Sequence, residues 1–565
     1  MAFRRLLLAA LGALLASACA SAPRFPLRTP LWHDDDQRPF AAVPEEYYSP
    51  FAWDGANQMV FRPISRFFAV DPAGVATNVN ALDEVPNSSW FENRLGIHPM
   101  TPEEVGRGPC DDKVLDPGMP DGSWLIDRGK DNGANPGFRV NIPGLGKFML
   151  KTDPETEPDR ATGATSVAAR IYHAAGYYTA CDSVVYFRRS LLKLKPGLTV
   201  TNNQGVTRPF DDAALDEMLR SASHRNGLVR MVASKWLPGK TLGPYRYEGT
   251  RSDDPNDVIP HEDRRELRGA KLIAAWLNHF DSREQNTMDV FLPLDKKRKD
   301  SPGFVRHYII DMGDCFGSMW TSDEISRRLG YAYIFDGSQI AEDFVTFGAL
   351  EHPWDRAQRT GGIFNYFSAR DFDPADWHGE YQNPAFIRMT ERDAAWMARI
   401  LARFTDDLVA AAVHVGQYDP LSEGYLVQTL VARRDAILRR YLGRLSPLAD
   451  VVATRDGLCA VDLARKTGIV PREFATLRAS AHRGAAFTPD RRLKFSPTTS
   501  PQICVELPHR ESDAEPDAAA ARYVVIDITN GYAEGPLRAH LYDLGPERGY
   551  RLVGIERPDR LKHPE

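Results

Sequence analysis

The hydrophobic rhythm of the chain changes several times between its ends. Leu6 to Leu15 form an apolar run between Arg4, Arg5 and the small residues Ala16, Ser17 and Ala18, directly before Cys19. A run this short cannot span a bilayer, which takes about 20 apolar residues, so the pattern predicts an export signal over residues 1–18. Residues 19–120 are rich in proline, aromatic and turn residues and hold no long helical period, which predicts an irregular extension containing the cluster Asn87, Ser88, Ser89, Trp90, Phe91. From Ser123 the pattern shortens: Trp124 to Asp127, Phe138 to Asn141 and Lys147 to Lys151 read as strands between Gly, Asn and Pro turns. A helix is expected over Ala161 to Ala175, stopped by Gly176. Ser183 to Phe187 and Leu228 to Ser234 read as two more strands around an insertion.

Beyond Gly239 the period becomes mainly helical. Leu267, Ala270, Ala274 and Leu277 recur on one face up to His279, and Met397, Ile400, Leu401, Phe404 and Leu408 do the same behind a Thr390, Asp393 capping box. Leu426, Leu430, Ile437 and Leu438 line another helix before Pro447. After an acidic, alanine-rich linker around Glu511 to Ala521, strands are expected at Tyr523 to Thr529, Ala539 to Leu544 and Tyr550 to Ile555. The fold class expected is α+β: a β-rich part over 121–240, a helical part over 241–445, and a linker with a small β-rich domain over 446–565.

With 565 residues, 43% of them hydrophobic and 26% charged, the chain can build several cores. The net charge of -6 offers no bulk attraction to nucleic acid, so a polyanion partner is not indicated. Besides Cys19, the cysteines are Cys110, Cys181, Cys315, Cys459 and Cys504, without a zinc-ligand spacing. In an oxidising compartment Cys459 and Cys504 can bridge, and the odd count leaves a thiol over. The segment before Cys19 is an ordinary secretory signal by composition alone, but the cysteine at the cut position resembles the bacterial lipobox. That resemblance implies an acylated Cys19 holding the protein to a lipid bilayer. Ala20, where Asp would favour the inner membrane, implies the outer one.

The sharpest chemical signal reads His279, Phe280, Asp281, Ser282, Arg283, Glu284, Gln285, Asn286, then two strands, then Asp311, Met312, Gly313. Phosphoryl transfer needs a carboxylate to take or orient the proton of the attacking hydroxyl, and oxygen ligands for the metal that neutralises the phosphates. Asp281 suits the first role. Asn286 and Asp311 suit the second, since a hairpin between them returns the chain to one place. The spacing alone is common: Asp127 and Asn132 show it inside a turn.

In this context the segment resembles the protein-kinase-like superfamily, whose catalytic loop is His-x-Asp with Asn five positions after the Asp, and whose metal turn is Asp-Phe-Gly. The resemblance covers about 121–445 and is closest to the lipid-kinase-like, toxin-type and secretory-pathway branches. It implies a two-lobed fold, ATP or another nucleotide triphosphate with Mg or Mn as cofactor, Asp281 as catalytic base, and Asn286 and Asp311 as metal ligands. It further implies Gly129, Gly133 and Gly137 as the phosphate-covering turn and Lys151 as the strand lysine facing the phosphates. Taken alone, those glycines also fit an ordinary β-turn, and Lys151 a solubility lysine on a strand edge. One feature departs from the family. The helix after Lys151 carries no acid, with Thr165 where one is expected, while Glu155, Glu157 and Asp159 precede it. Two functions therefore remain open: a phosphotransferase acting on a protein, sugar or lipid acceptor, or a pseudokinase lipoprotein that binds a partner without chemistry.

Overall fold

The computed structural model describes residues 24–559 except 69–73, 112, 131–134, 203–204, 299, 320–321, 360–361, 472–475, 484–490, 497, 500 and 510–518. The export signal and Cys19 lie outside the described residues, as does most of the acidic linker. The chain is a mixed α+β protein that divides into two compact units.

The larger unit comprises Trp32–Asn78 and Val85–Arg440. Its main sheet orders β4-β6-β3-β2-β1-β5, from β1 (Trp124–Lys130), β2 (Gly137–Ile142), β3 (Gly146–Lys151), β4 (Asp182–Phe187), β5 (Leu192–Leu194) and β6 (Leu228–Lys235), with a short strand His224–Arg225 added to β6. Alternation sets its core: Trp124, Ile126, Phe138, Val140, Phe148 and Leu150 all turn to one side and are buried. In β2, Gly137 opposes Lys151, and a Cβ there would lie 2.1 Å from the Leu150 carbonyl, so this strand crossing admits only glycine. The insertion between β4 and β6 contains an amphipathic helix, Asp212–Ser221, capped by the Asp211 side chain, which the sequence reading did not anticipate.

Helix α1 (Arg160–Ala175) is buried around nearly its whole circumference, which its small residues permit. At Gly163 a Cβ would meet the Tyr418 ring at 2.4 Å. As expected, Gly176 ends the helix, at a φ of 128°. A second sheet orders β7-β8-β9, from β7 (Lys240–Gly243), β8 (Thr287–Pro293) and β9 (Gly303–Ile309), with Tyr178–Thr179 on its edge. Helix α2 (Arg265–Leu277) lies between β7 and β8 and stops at Asn278, whose left-handed φ of 51° closes the last turn. The Thr390–Asp393 capping box opens α3 (Glu391–Leu401). The apolar rhythm from Met397 to Leu408 belongs to two helices and not one. Thr405 caps α4 (Asp406–His414), because its hydroxyl takes the Leu408 amide before the first helix can continue. Helix α5 (Pro420–Tyr441) buries Leu426, Leu430, Ile437 and Leu438.

The extension is not wholly irregular. Phe51–Ala56, a π-helical turn Asn57–Phe61 and Arg62–Phe68 run on as one helical segment.

The smaller unit takes residues 24–31, 79–84 and the chain from Tyr441 onward, so chain near the N-terminus contributes to a unit expected to be C-terminal only. Strands β10 (Leu448–Ala453), β11 (Gly457–Asp462), β13 (Lys494–Ser496) and β14 (Gln502–Glu506) form one sheet. Strands β12 (Arg478–Arg483), β15 (Tyr523–Thr529), β16 (Leu537–Asp543) and β17 (Tyr550–Glu556) form most of the other, and the two share a core that includes Leu458, Val505, Val524, Ile526 and Leu541.

Two disulfides are present, Cys110–Cys181 in the larger unit and Cys459–Cys504 in the smaller. Cys315 is free and buried. Among the described residues no helix is long and apolar enough to cross a membrane.

Candidate functional site

Strand β3 ends at Lys151, flanked in register by Gly137 on β2 and Val232 on β6, so the lysine rises from the middle of the main sheet and not from an edge. Its Nζ donates to Asp311 Oδ1 at 2.6 Å. Asp311 follows β9 at a left-handed φ of 57°, a conformation in which its short polar side chain is among the few tolerated. The β8–β9 hairpin performs the return expected of it: Ile310 N donates to Asn286 O at 2.9 Å, so Asn286 and Asp311 stand at the same end.

The loop from His279 to Asn286 is closed from within. Asn286 Nδ2 donates to Asp281 O at 2.7 Å, and Asp281 N donates to Asp314 Oδ2 at 3.0 Å, tying the loop to the turn after β9. Asp281 Oδ1 lies 2.6 Å from Arg283 Nε, and 23% of the Asp281 side chain remains open to solvent. His279 is fully buried, 3.0 Å from the Tyr172 hydroxyl, and burial pushes its pKa down to about 4, as suits a packing histidine. Asp314 is both turn former and brace.

The acids before α1 do not serve Lys151. Glu157 pairs with Arg160 at 2.7 Å, and Arg160 Nη1 donates to the carbonyls of Gly313 and Cys315, each at 2.9 Å. Asp159 faces Arg225 and Arg230, and Glu155 is exposed. Thr165 is buried where the family acid was expected, and a Cβ on Gly313 would lie 3.2 Å from its Oγ1. The helix therefore meets the Asp311–Gly313 turn closely, through small residues. The acid within electrostatic reach of Lys151 comes instead from β4. Burial pushes the Asp182 carboxyl up to about 6, against a hydrogen bond from Ser234 and the charges of Arg170 and Lys151.

Burial also pushes Asp311 up, but the charge and hydrogen bond of Lys151 outweigh it and hold this carboxylate below its ordinary range. The three other carboxyls of the site go the opposite way. Asp281, Asp314 and Glu380 are all raised by burial, the latter two also by the charge of Asp281, with Glu380 pushed up to about 9. Glu380 thus keeps its proton at neutral pH. Glu380 is held in place by its amide, which donates to Phe280 O at 2.6 Å.

Of the glycines expected over the phosphates, Gly133 lies outside the described residues. Gly129 is needed for packing, since a Cβ there would lie 2.3 Å from Val200 Cγ1 in the insertion, where Thr199–Thr201 pairs with Thr207–Pro209. Gly137 is fixed by the strand crossing described above. Trp236 is half-buried with the Arg139 guanidinium over its ring at 5.1 Å.

Sequence reasoning missed the contribution of the extension. Arg62 donates to Glu284 at 2.7 Å and lies 2.9 Å from Glu248, and Asp54 lies 3.8 Å from Arg283. Both reach the loop from the helical segment at Phe51–Phe68. Only an alternation of apolar and charged residues at helical spacing around Arg62 could have signalled it.

Among the described residues no three His, Cys, Asp or Glu side chains form a cage for a metal ion. Asp311 and Asn286 nevertheless offer hard oxygens at one end of the hairpin, and 46% of the Asp311 side chain is accessible. Asp314 Oδ1 is buried without a hydrogen-bond donor. Oxygens of this kind fit magnesium, which binds through one or two protein oxygens and completes its shell with phosphate and water. No family model, curated protein or solved structure matches this chain.

Proposed function

We propose that the larger unit is a protein-kinase-like, two-lobed phosphotransferase whose site is built on Lys151, Asp281, Asn286 and Asp311. The observation that carries this reading is the contact of Lys151 with Asp311 at 2.6 Å, beside a loop in which Asn286 is bonded to Asp281. A strand lysine, a loop carboxylate, a loop asparagine and a turn aspartate occupy one end of the β8–β9 hairpin, in the chain order that phosphoryl transfer uses in such folds. A bound nucleotide triphosphate with Mg or Mn would supply the phosphoryl group and the charge to neutralise it. Lys151 would then turn from Asp311 toward the phosphates, Asp311 and Asn286 would hold the metal, and Asp281 would accept the proton of the acceptor hydroxyl. Arg160 and Arg62 brace the two loops from behind.

The reading is tested by incubating the signal-free protein with γ-labelled ATP and Mn or Mg, alone and with envelope fractions as acceptor. Label transfer should occur with wild type and fall by about 100-fold or more in Asp281→Asn, as loss of a general base does. Equal transfer by both would contradict the role of Asp281.

A second reading is favoured by one observation: α1 carries no acid for Lys151, and Thr165 stands against Gly313 where one was expected. The same pocket would then bind a ligand as a pseudokinase. Nucleotide binding without any label transfer would select it.

We also propose that the chain is exported and held at the envelope, on the outer membrane, through acylated Cys19. Two disulfides support an oxidising destination. Cys19→Ser should abolish lipid labelling and membrane recovery; retention of both would remove the proposal.

A further inference from the structure

Away from the Lys151–Asp311 site, the larger unit carries a cleft of about 520 Å³ walled by Tyr178, Cys181 and the segment Lys235 to Pro238. Its charged lining includes Arg94, Lys235, Lys296 and Arg306 against Glu92 and Asp111. The two acids are already taken: Glu92 pairs with Arg94 at 2.7 Å and Asp111 with Lys235 at 2.5 Å. Among the described residues no carboxylate lies within ion-pairing distance of Arg306 or Lys296. The Arg306 guanidinium stands 4.6 Å from the Tyr178 ring centroid while Arg94 stands 5.4 Å from the same ring, so two like charges lie against one aromatic ring. Arg306 Nε is buried with no hydrogen-bond acceptor. In a chain of net charge -6, this is a local excess of positive charge set in a concave, aromatic-walled surface. The guanidinium as a whole is half-exposed and bonds to Tyr308, so an anion entering the cleft can reach it and meet the donor that the protein leaves open. His173 in the same wall also feels the field: burial, then the charges of Arg94 and Arg170, push its pKa down to about 3.

We propose that this cleft is a second ligand site, taking a phosphate-bearing anion against Arg306, with Lys296 at the mouth and Tyr178 as the platform beneath. A planar guanidinium matches two phosphate oxygens at once, which selects phosphate esters over simple halides. The shared chemistry is a phosphate ester, carried either by a soluble phosphorylated molecule or by a lipid headgroup.

The test uses the signal-free protein at constant ionic strength, titrated in one arm with glycerol phosphate and in the other with vesicles of phosphatidylglycerol or phosphatidylcholine. Binding of glycerol phosphate, weakened at least tenfold in Arg306→Gln and severalfold in Lys296→Gln, supports a soluble ligand. Binding only to phosphatidylglycerol vesicles, lost in the same two variants, supports a headgroup. Because Lys296 is exposed, its variant decides the matter if Arg306→Gln fails to fold. No wild-type binding in either arm, equal binding to phosphatidylcholine, or binding undiminished in both variants overturns the proposal.

Discussion

Lys151 and Asp311 stand 160 residues apart in the chain and 2.6 Å apart in space, joining the end of β3 to the turn after β9. Part of the pair is open to solvent, so the contact adds little to stability. Its consequence is positional: it brings the cation of the main sheet to the end of the β8–β9 hairpin, where Asn286 and the Asp281 loop lie.

The helical segment at Phe51–Phe68 makes the Asp281–Asn286 loop depend on the extension. Arg62 and Glu284 expose only 9% and 12% of their side chains, and Arg62→Met leaves Glu284 with the Tyr247 amide at 3.3 Å as its remaining donor. Stranding one buried charge costs on the order of 3 kcal/mol. The larger unit should melt several degrees lower, and Arg62→Met/Glu284→Gln should recover part of the loss. Purely additive losses in the double variant would show that the two residues do not act as a pair.

Glu380 makes stability depend on pH in a predictable direction. Its carboxyl titrates from an ordinary value of 4.5 in the unfolded chain to about 9 in the folded one. Between those values the folded chain holds a proton that the unfolded chain has released, so its contribution falls as pH rises. Glu380→Gln should therefore match wild type below pH 4.5 and gain on it steadily from pH 5 to pH 9, read as urea midpoints. A difference that stays constant with pH would mean that Glu380 is ionised in the fold.

Cysteine titration follows from the pairing. The signal-free protein beginning after Cys19 should show no reactive thiol when native and one, Cys315, when unfolded without reductant. Opening Cys110–Cys181, a loop of 71 residues, should cost the larger unit about 4 kcal/mol. Two or more thiols released by denaturant alone would contradict the pairing.

The elements legible in the sequence were those whose own periodicity or caps decide them. The strands within Trp124 to Lys151 alternate between turns, Gly176 and the Thr390–Asp393 box announce helix ends, and Tyr523 to Thr529 carries a β-branched run; each stands where the pattern puts it. What stayed hidden depends on partners distant in the chain. The strands from Leu448 to Glu506 are short and mixed in polarity, and become strands because they pair with one another and share the core with β15 and β16. Arg62, Asp182 and Glu380 are ordinary charged residues until folding sets them beside the site. Cys110–Cys181 encloses β1, β2, β3 and α1, so no local spacing could reveal it. Of the site itself, the Asp281–Asn286 loop and the return to Asp311 were legible, because a helix, a loop and a hairpin are all local. The acid sought on α1 was not found there, and Thr165 packs against Gly313 in its place.

The central claim is that Lys151 and Asp311 form a nucleotide and metal site, and a thermal scan of the signal-free protein tests it without an acceptor. Ligand at 100 times its dissociation constant stabilises the binding state by about 2.7 kcal/mol, a shift of a few degrees for the larger unit. The two units can melt separately, so the shift is read on the transition of the larger one. ATP with Mg or Mn should raise that transition, and ATP with chelator should raise it far less. Asp311→Ala should erase the metal-dependent part, and Lys151→Ala should weaken the nucleotide part. No shift with any common nucleotide and metal, or a shift that survives both substitutions, would contradict the site.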